Sequence, residues 1–363
     1  MDPLAHSLLG AALARTRLGR DRPLAMPVLV IAANAPDIDI VAYFWSSDAA
    51  LGFRRGLTHG PIGLAILPLL VAWMVWVLGK RWREPPGAIA RAGFAPLVAL
   101  SYLAMLTHPV LDWLNTYGVR FLYPFDRRWF YGDTLFIVDP WVWLVLGAGV
   151  ALSQPPGVAG SGRRANLALA GLTVVTTALL LATAQSGTAK ALWFAGVGAI
   201  VAVRIAGMPW AEHGRHLAAS ACVVVFVLYA VVAVAGARAA RTIVRDSLAE
   251  PIERWMVGPL PLSPARREVV VETPTDLTYG RFRWFGQPRY EWGGWIRPRP
   301  LPSPVLDAAL RDPSISGFVG WVRFLWVEID EQPDRWEVHL MDARYTLERG
   351  ARFGSVMVNV PKQ

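Results

Sequence analysis

Residues 94–118 read FAPLVALSYLAMLTHPVLDWLNTYG. The first twenty residues of this stretch are largely apolar and long enough to cross a membrane, since about 20 helical residues span a hydrocarbon core of about 30 Å. His108 and Asp112 lie among the last six of these twenty residues, four positions apart, so a helix places both side chains on one face. That spacing suits a metal ion, and polar side chains in a membrane segment are costly enough to suggest function. A His–Asp pair that only hydrogen-bonds to itself at a helix end would show the same pattern.

The composition indicates an integral membrane protein. Of 363 residues, 54% are hydrophobic and 17% are charged, and the mean hydropathy is +0.36. The formal net charge of +9 comes largely from arginines between the apolar runs, where they suit cytosolic flanks and lipid headgroups. No nucleic-acid-binding motif is visible, so a nucleic acid partner is not expected. The single cysteine, Cys222, excludes an intrachain disulfide.

The apolar runs predict about eight membrane segments, at residues 3–18, 24–45, 59–79, 93–112, 137–152, 166–186, 191–207 and 217–236. The connections between these segments alternate between many and few Lys and Arg residues. The set 15–22, 80–92, 153–165 and 204–216 holds twelve Lys and Arg residues, and the opposite set holds six. The positive-inside rule therefore places the first set in the cytosol.

The pattern becomes strand-like after residue 250. Strands are predicted at 268–272, 279–285, 317–329, 335–341 and 352–360. The predicted fold is thus an α-helical integral membrane protein with a C-terminal antiparallel β domain. Its parts are a helical membrane domain carrying a metal site (1–237), a linker (238–250) and an extracytoplasmic β-rich domain (251–363).

Polar residues of separate segments share one height in this topology. At 1.5 Å per residue, His6 lies roughly 18 Å above the basic turn, Asp37 roughly 20 Å above Leu24, and His108 roughly 22 Å above Gly93. The predicted metal ligands are His6, Asp37, Asp39, His59, His108 and Asp112. This mixture of nitrogen and oxygen donors suits one to three divalent ions, with Zn²⁺ favoured and Mn²⁺ or Fe²⁺ possible. Pro36 disfavours plain helix, so Asp37 and Asp39 are expected to bracket two ions on an irregular segment.

The order of these motifs resembles the bacterial YdjM-like family of membrane-bound metal-dependent hydrolases. The resemblance covers about residues 1–150. The matching motifs are His6, Pro36-Asp37-Ile-Asp39, Arg55-Gly-Leu-Thr58-His59, His108 to Asp112 and Tyr117-Gly118. A serine commonly follows the Thr-His pair in that family, whereas Gly60 follows it here. The order of ligands is also distantly similar to zinc-dependent phospholipase C and the P1-type nucleases, which hydrolyse phosphodiesters.

The resemblance implies hydrolysis of a lipid or lipid-linked phosphoester in the bacterial inner membrane, through a metal-activated water. Asp39 or Asp139 is the predicted general base. Arg54 and Arg55 either hold a lipid phosphate or anchor the chain at the membrane interface. Asn115 and Tyr117 are candidate substrate-binding residues that could equally orient the ligands.

Two other classes of function share these features. An ion-coupled transporter also uses intramembrane Asp and His residues. A metal-stabilised scaffold could bind a partner through the β domain. The single-sided placement of the polar residues favours the enzyme over the transporter.

Overall fold

The chain is described here by a computed structural model, which covers residues 1–79, 93–154, 161–183, 186–206, 214–248, 251–287, 289–300 and 302–362. The predicted cytosolic connection 80–92 lies outside these residues, as do parts of 153–165 and 204–216. The chain divides into two compact units. The first comprises Met1–Ile38, Arg55–Gly236 and Pro259–Ala265, and the second comprises Asp39–Arg54, Ala237–Gly258 and Arg266–Gln363. Residues 39–54 thus fold with the C-terminal part of the chain.

Helices make up nearly all of the first unit. Asp2 caps the first of them by accepting hydrogen bonds from the backbone N–H groups of Leu4 and Ala5, and Pro3 occupies its first turn. In chain order the helices are α1 (Pro3–Arg15), α2 (Ala25–Asn34), a 3-10 helix (Ala35–Phe44), α3 (Ser47–Phe53), α4 (Pro61–Gly79), α5 (Phe94–Trp113), α6 (Pro140–Leu152), α7 (Ser161–Ala182), α8 (Gly187–Ile205) and α9 (Arg215–Asp246). Of these, α3 belongs to the second unit, as do residues 39–44 of the 3-10 helix and residues 237–246 of α9.

Five helical segments of the described chain are long and apolar enough to cross a membrane. They are Ala25–Phe44, Pro61–Gly79, Phe94–Trp113, Gly187–Ile205 and His216–Asp246. Two shorter apolar helices, Pro140–Leu152 and Asn166–Ala182, accompany them. The predicted count of about eight segments is therefore not confirmed. At about 1.5 Å per residue, the 13 residues of α1 extend only about 20 Å.

Small residues let α1, α2 and α5 approach closely. In the first unit α2 packs against both α1 and α5, and α4 packs against α5. Alanines at these contacts are fully buried, among them Ala5, Ala32 and Ala104. A Cβ atom at Gly10 would lie 2.6 Å from the carbonyl oxygen of Leu29, so α1 and α2 could not pack this way with a larger residue. This packing brings together the helices that carry most of the predicted ligands.

The second unit contains two sheets. One has the strand order β1 (Arg254–Leu260), β2 (Ser263–Glu272), β3 (Asp276–Arg283), β4 (Tyr290–Pro298), and the other β5 (Leu325–Glu331), β6 (Arg335–Asp342), β7 (Ser355–Pro361). The pairs β2–β3, β3–β4, β5–β6 and β6–β7 are antiparallel. The predicted antiparallel β region is therefore present. The predicted linker is largely helical, because α9 continues to Asp246.

The predicted strand over 317–329 is present only in its second part, since β5 begins at Leu325, and its first part is helical. Residues Pro304–Leu310 form α10, and Ser316–Trp321 form α11, which precedes β5. The carboxylate of Asp48 on α3 accepts hydrogen bonds from the backbone N–H groups of Gly317 at 2.9 Å and Phe318 at 2.7 Å. These bonds satisfy N–H groups that a helix start leaves unpaired. A contact from a residue 269 positions away stabilises this helix, and a local pattern does not reveal it.

Candidate metal centre

Four side chains of the first unit form a group with metal-ligand geometry. Among the described residues, Asp37, His59, His108 and Asp112 each offer one nitrogen or oxygen atom, and these four atoms all lie within 4.8 Å of one another. His108 and Asp112 stand one turn apart on α5, Asp37 lies in the 3-10 helix after α2, and His59 precedes α4. Three of the four are fully buried, and only Asp37 is partly exposed.

The spacing of the donor atoms suits a single small cation. The Nε2 atom of His108 lies 3.1 Å from Nε2 of His59, 3.5 Å from Oδ2 of Asp112 and 3.8 Å from Oδ1 of Asp37. His59 Nε2 lies 3.2 Å from the same Asp112 oxygen. Zinc bonds of 2.0–2.1 Å put neighbouring ligands of a tetrahedral site about 3.3 Å apart. His59, His108 and Asp112 therefore fit such an ion with little rearrangement, and the Asp37 oxygen lies farther out.

Second contacts orient the two imidazole rings. His108 Nδ1 lies 2.6 Å from the carbonyl oxygen of Ala33. Because a carbonyl can only accept, Nδ1 carries the hydrogen, and the lone pair of a neutral ring sits on Nε2, which faces the group. His59 Nδ1 lies 2.9 Å from Oγ1 of Thr58. Partners of this kind orient metal-binding histidines and fix their tautomers.

The group is rich in hydrogen-bond acceptors. When both imidazoles are neutral, the two carboxylates and His108 Nε2 can only accept, and of the four ligand atoms only His59 Nε2 can carry a proton. Arg55 and the Met1 amino group supply protons to Asp112 from outside the group. Buried acceptors that face each other without enough protons are unfavourable. A cation relieves this arrangement, so the chemistry of the four ligand atoms favours a bound metal ion, as their spacing does.

His6 lies beside the group. Its ring stacks on that of His108 at a centroid distance of 3.8 Å, and its Nε2 lies 3.4 Å from Oδ1 of Asp112. Neither ring nitrogen makes a hydrogen bond within the described chain, although the side chain is fully buried. The Nδ2 group of Asn115 is buried and unbonded in the same way. Both residues thus carry polar atoms suited to a ligand or substrate.

Arg55 holds Asp112 in place. Its Nη2 donates to Asp112 Oδ1 at 3.1 Å, and its Nη1 donates to Asn115 Oδ1 at 3.0 Å and to the Gly118 carbonyl at 3.2 Å. The guanidinium lies 4.5 Å from the ring centroid of Tyr117. Arg55 adopts a left-handed backbone conformation with φ at +53°, which non-glycine residues seldom adopt away from functional sites. Arg55, Asn115 and Tyr117 therefore form a buried frame around Asp112.

Both oxygens of Asp112 lie close to Arg55, but their other partners differ. Oδ1 meets the Arg55 guanidinium and the amino group of Met1, whereas Oδ2 faces His59 and His108. Arg55 Nε also lies 3.0 Å from Oδ2. Oδ2 is thus the oxygen placed to act with the imidazoles.

The other two predicted carboxylates lie outside the four-residue group. Asp39 is buried and accepts a hydrogen bond from Arg54 at 3.4 Å. The 3-10 helix explains its separation from Asp37, because three residues per turn point side chains two positions apart about 120° away from each other. Asp139 caps α6 by accepting from the N–H of Trp141 at 2.9 Å, and it also accepts from the hydroxyl of Tyr229 at 3.0 Å.

Sequence reasoning gave no role to Thr58 or to the carbonyl of Ala33. Thr58 had one available signal, its position next to a predicted ligand, whereas a backbone carbonyl leaves no signal in a sequence.

The structure also explains Gly60, where the related family commonly has serine. A Cβ atom there would collide with the backbone carbonyl oxygen of Tyr123.

We expect Thr58→Val to weaken metal binding by about 10–100-fold, because it removes the oxygen that holds His59 Nδ1. The measurement is zinc affinity by chelator competition. Thr107→Val is the matched control, since Thr107 precedes His108 but its hydroxyl bonds the Ala104 carbonyl of its own helix. Equal affinities for the two variants would remove Thr58 from this account.

The apolar helices and the buried histidine–aspartate group define a membrane protein with a possible metal-binding site. The chain belongs to the YdjM inner membrane protein family, whose family model matches residues 1–188. All four residues of the group lie inside this match, and the β strands lie beyond it.

One curated relative is the "Uncharacterized protein YfhP" of Bacillus subtilis (strain 168). It is 26% identical over 168 residues, which cover 44% of this chain and 48% of YfhP, so the chain spans about half the length of this relative. No solved structure matches. The more distant resemblance to phospholipase C and the P1-type nucleases is therefore not shown.

Proposed function

We propose that this protein is a membrane-embedded, metal-dependent hydrolase acting on a lipid or lipid-linked phosphoester. The observation that carries the proposal is the set of two imidazole nitrogens and two carboxylate oxygens within 4.8 Å of one another. A divalent ion held there would polarise a phosphoryl oxygen and make water more acidic. Zinc suits these donors best, and manganese or iron(II) also accept them.

The residues of the group have different proposed roles. His59, His108 and Asp112 are buried and oriented by Thr58, the Ala33 carbonyl and Arg55, so they suit the holding of an ion. Asp37 is 14% exposed, which makes it the carboxylate of the group that can exchange a proton with water. We assign the general-base role to Asp37, because Asp39 and Asp139 are held by Arg54 and Tyr229.

The membrane location and the chemistry of the ligand atoms support the proposed substrate class. Helices that cross a membrane give such a site access to lipids, and phosphoesters are common substrates of metal-assisted hydrolysis. Asn115 and the neighbouring His6 are candidates for substrate contact, because each carries a buried polar atom without a hydrogen bond among the described residues. Arg54 and Arg55 already contact protein carboxylates.

We place the site on the outer side of the inner membrane, as the lysine and arginine counts suggest. Cysteines can test this orientation after Cys222 is replaced by serine. We expect an impermeant maleimide to label Ser47→Cys and to spare Arg17→Cys in intact spheroplasts, both positions being exposed. The reverse pattern would invert the orientation.

Turnover in lipid nanodiscs tests the proposed activity. The full chain is loaded with zinc and given phospholipids and lipid-linked diphosphates, and products are followed by mass spectrometry. We expect turnover that chelation stops and zinc restores. Asp112→Asn should lose it, whereas Asp126→Asn should keep it, since Asp126 pairs with Arg128 in a loop outside the group.

Two results would contradict the hydrolase. Absence of bound metal would leave the site without its ion. Bound metal without turnover on any of these substrates would favour the metal-stabilised scaffold or the ion-coupled transporter.

A further inference from the structure

A polar cavity separate from the candidate metal centre lies in the first unit, at the C-terminal end of α1. Its volume is about 370 Å³. The described residues that line it include Arg15, Arg20, Arg22, Gln154 and His216, together with the first residues of α2. None of the four residues of the candidate metal centre lines it.

Helix α1, which carries His6, separates the cavity from the candidate metal centre. His6 and Arg15 lie nine residues apart on α1, about 14 Å along the helix axis. The cavity therefore belongs to the opposite end of α1 from the metal centre, and any ligand in it would be a different one.

The cavity wall is strongly cationic. Three arginines contribute to it, and its described lining contains no aspartate or glutamate. The nearby carboxylate of Asp21 lies 3.5 Å from Nε of Arg20 and is 86% exposed. Water therefore screens this carboxylate, and it offsets little of the positive charge of the cavity wall. Arginines present fixed, forked sets of N–H donors that match phosphate oxygens.

His216 adds a buried donor without an acceptor. The side chain is 7% exposed, and its Nδ1 lies 2.7 Å from Nη1 of Arg20. A guanidinium can only donate, so Nδ1 accepts and the neutral ring carries its hydrogen on Nε2. Nε2 has no hydrogen-bond partner among the described residues. A buried N–H of this kind is costly unless an acceptor meets it.

The start of α2 contributes further positive potential. Leu24 occupies the N-cap position with φ at +63°, and no side chain caps the helix. Leu24, Ala25, Met26 and Pro27 all line the cavity. The Ala25 N–H already donates to the Arg22 carbonyl at 3.2 Å and Pro27 has no N–H, so the helix start contributes its dipole and the Met26 N–H, which favour an anion. Arginines, the His216 ring and the helix start thus offer donors to one place.

We propose that this cavity binds a phosphate group, carried by an anionic lipid headgroup or present as free phosphate. Basic pockets between membrane helices recognise anionic headgroups through the same chemistry. The site is independent of the candidate metal centre and of the hydrolase proposal.

Binding of two probes to the full chain in neutral detergent tests the proposal. The probes are ³²P-labelled inorganic phosphate and short-chain phosphatidylglycerol. We expect saturable binding of at least one probe, weakened about tenfold or more by Arg20→Ala, Arg22→Ala and His216→Leu, because each removes a donor to a charged acceptor. Arg163→Ala is the matched control, since Arg163 is exposed in the first turn of α7 and does not line the cavity.

The outcomes separate the possible sources of the phosphate. Binding of phosphatidylglycerol alone identifies a headgroup site, and competition between the probes identifies one phosphate site for both. Thermal unfolding shows which variants keep their fold, and only those are compared. Binding of neither probe, or an equal loss in Arg163→Ala, would overturn the proposal.

Discussion

Asp112→Asn is expected to abolish metal binding and turnover and to destabilise the protein. The substitution replaces the carboxylate oxygen that lies 3.2 Å from His59 Nε2 and 3.5 Å from His108 Nε2. It also leaves the guanidinium of Arg55, which is 4% exposed, without its charge partner. Breaking a buried ion pair from one side costs about 3–5 kcal/mol. Metal content per chain and equilibrium unfolding in mixed micelles measure the two effects.

A second substitution separates these two roles of Asp112. Adding Arg55→Met removes one of the two charges that Asp112→Asn leaves unpaired, the other being the Met1 amino group, so we expect the double variant to recover part of the lost stability while still binding no metal. If Asp112 served only the ion pair, metal content in Asp112→Asn would equal that of the unaltered protein. That equality would contradict its place among the ligands.

His108→Gln is expected to have the second largest effect, a loss of metal affinity of at least about 100-fold. His108 Nε2 lies within 3.8 Å of a ligand atom of each of the other three residues of the group. The substitution leaves no buried charge unpaired, so the fold should survive and the loss would report on the metal alone. Affinity is measured by chelator competition, with stability from thermal unfolding.

His339→Gln serves as the control for this change. His339 lies on β6 in the second unit, 3.8 Å from Asp330, and it is outside the four-residue group. We expect its affinity for metal to match that of the unaltered protein. An unchanged affinity in His108→Gln would exclude His108 as a ligand.

Helix periodicity in the sequence is enough to predict the part of the four-residue group that lies on a single helix. His108 and Asp112 are four apart in an apolar run, so helix geometry alone placed them together. Asp37 and His59 required the further argument that separate segments present them at one height. The structure brings both to the same group.

Other features depended on contacts between distant parts of the chain. The sequence suggests a substrate or interface role for Arg55, whereas its side chain reaches Asp112, 57 positions away. The 3-10 geometry directs Asp39 away from Asp37, and a proline alone does not distinguish a 3-10 helix from an extended segment. In the same way, α11 forms where a strand was predicted, because Asp48 caps it from far along the chain. Packing decided these features, and packing is absent from a single sequence.

The most direct measurement is the metal content of the purified full-length protein, combined with X-ray absorption spectroscopy of the bound ion. We predict at least one transition metal ion per chain, zinc foremost, with a ligand shell of nitrogen and oxygen and no sulfur. The group of His59, His108, Asp37 and Asp112 requires this result. A protein that remains metal-free after exposure to zinc, manganese and iron(II) would contradict the account.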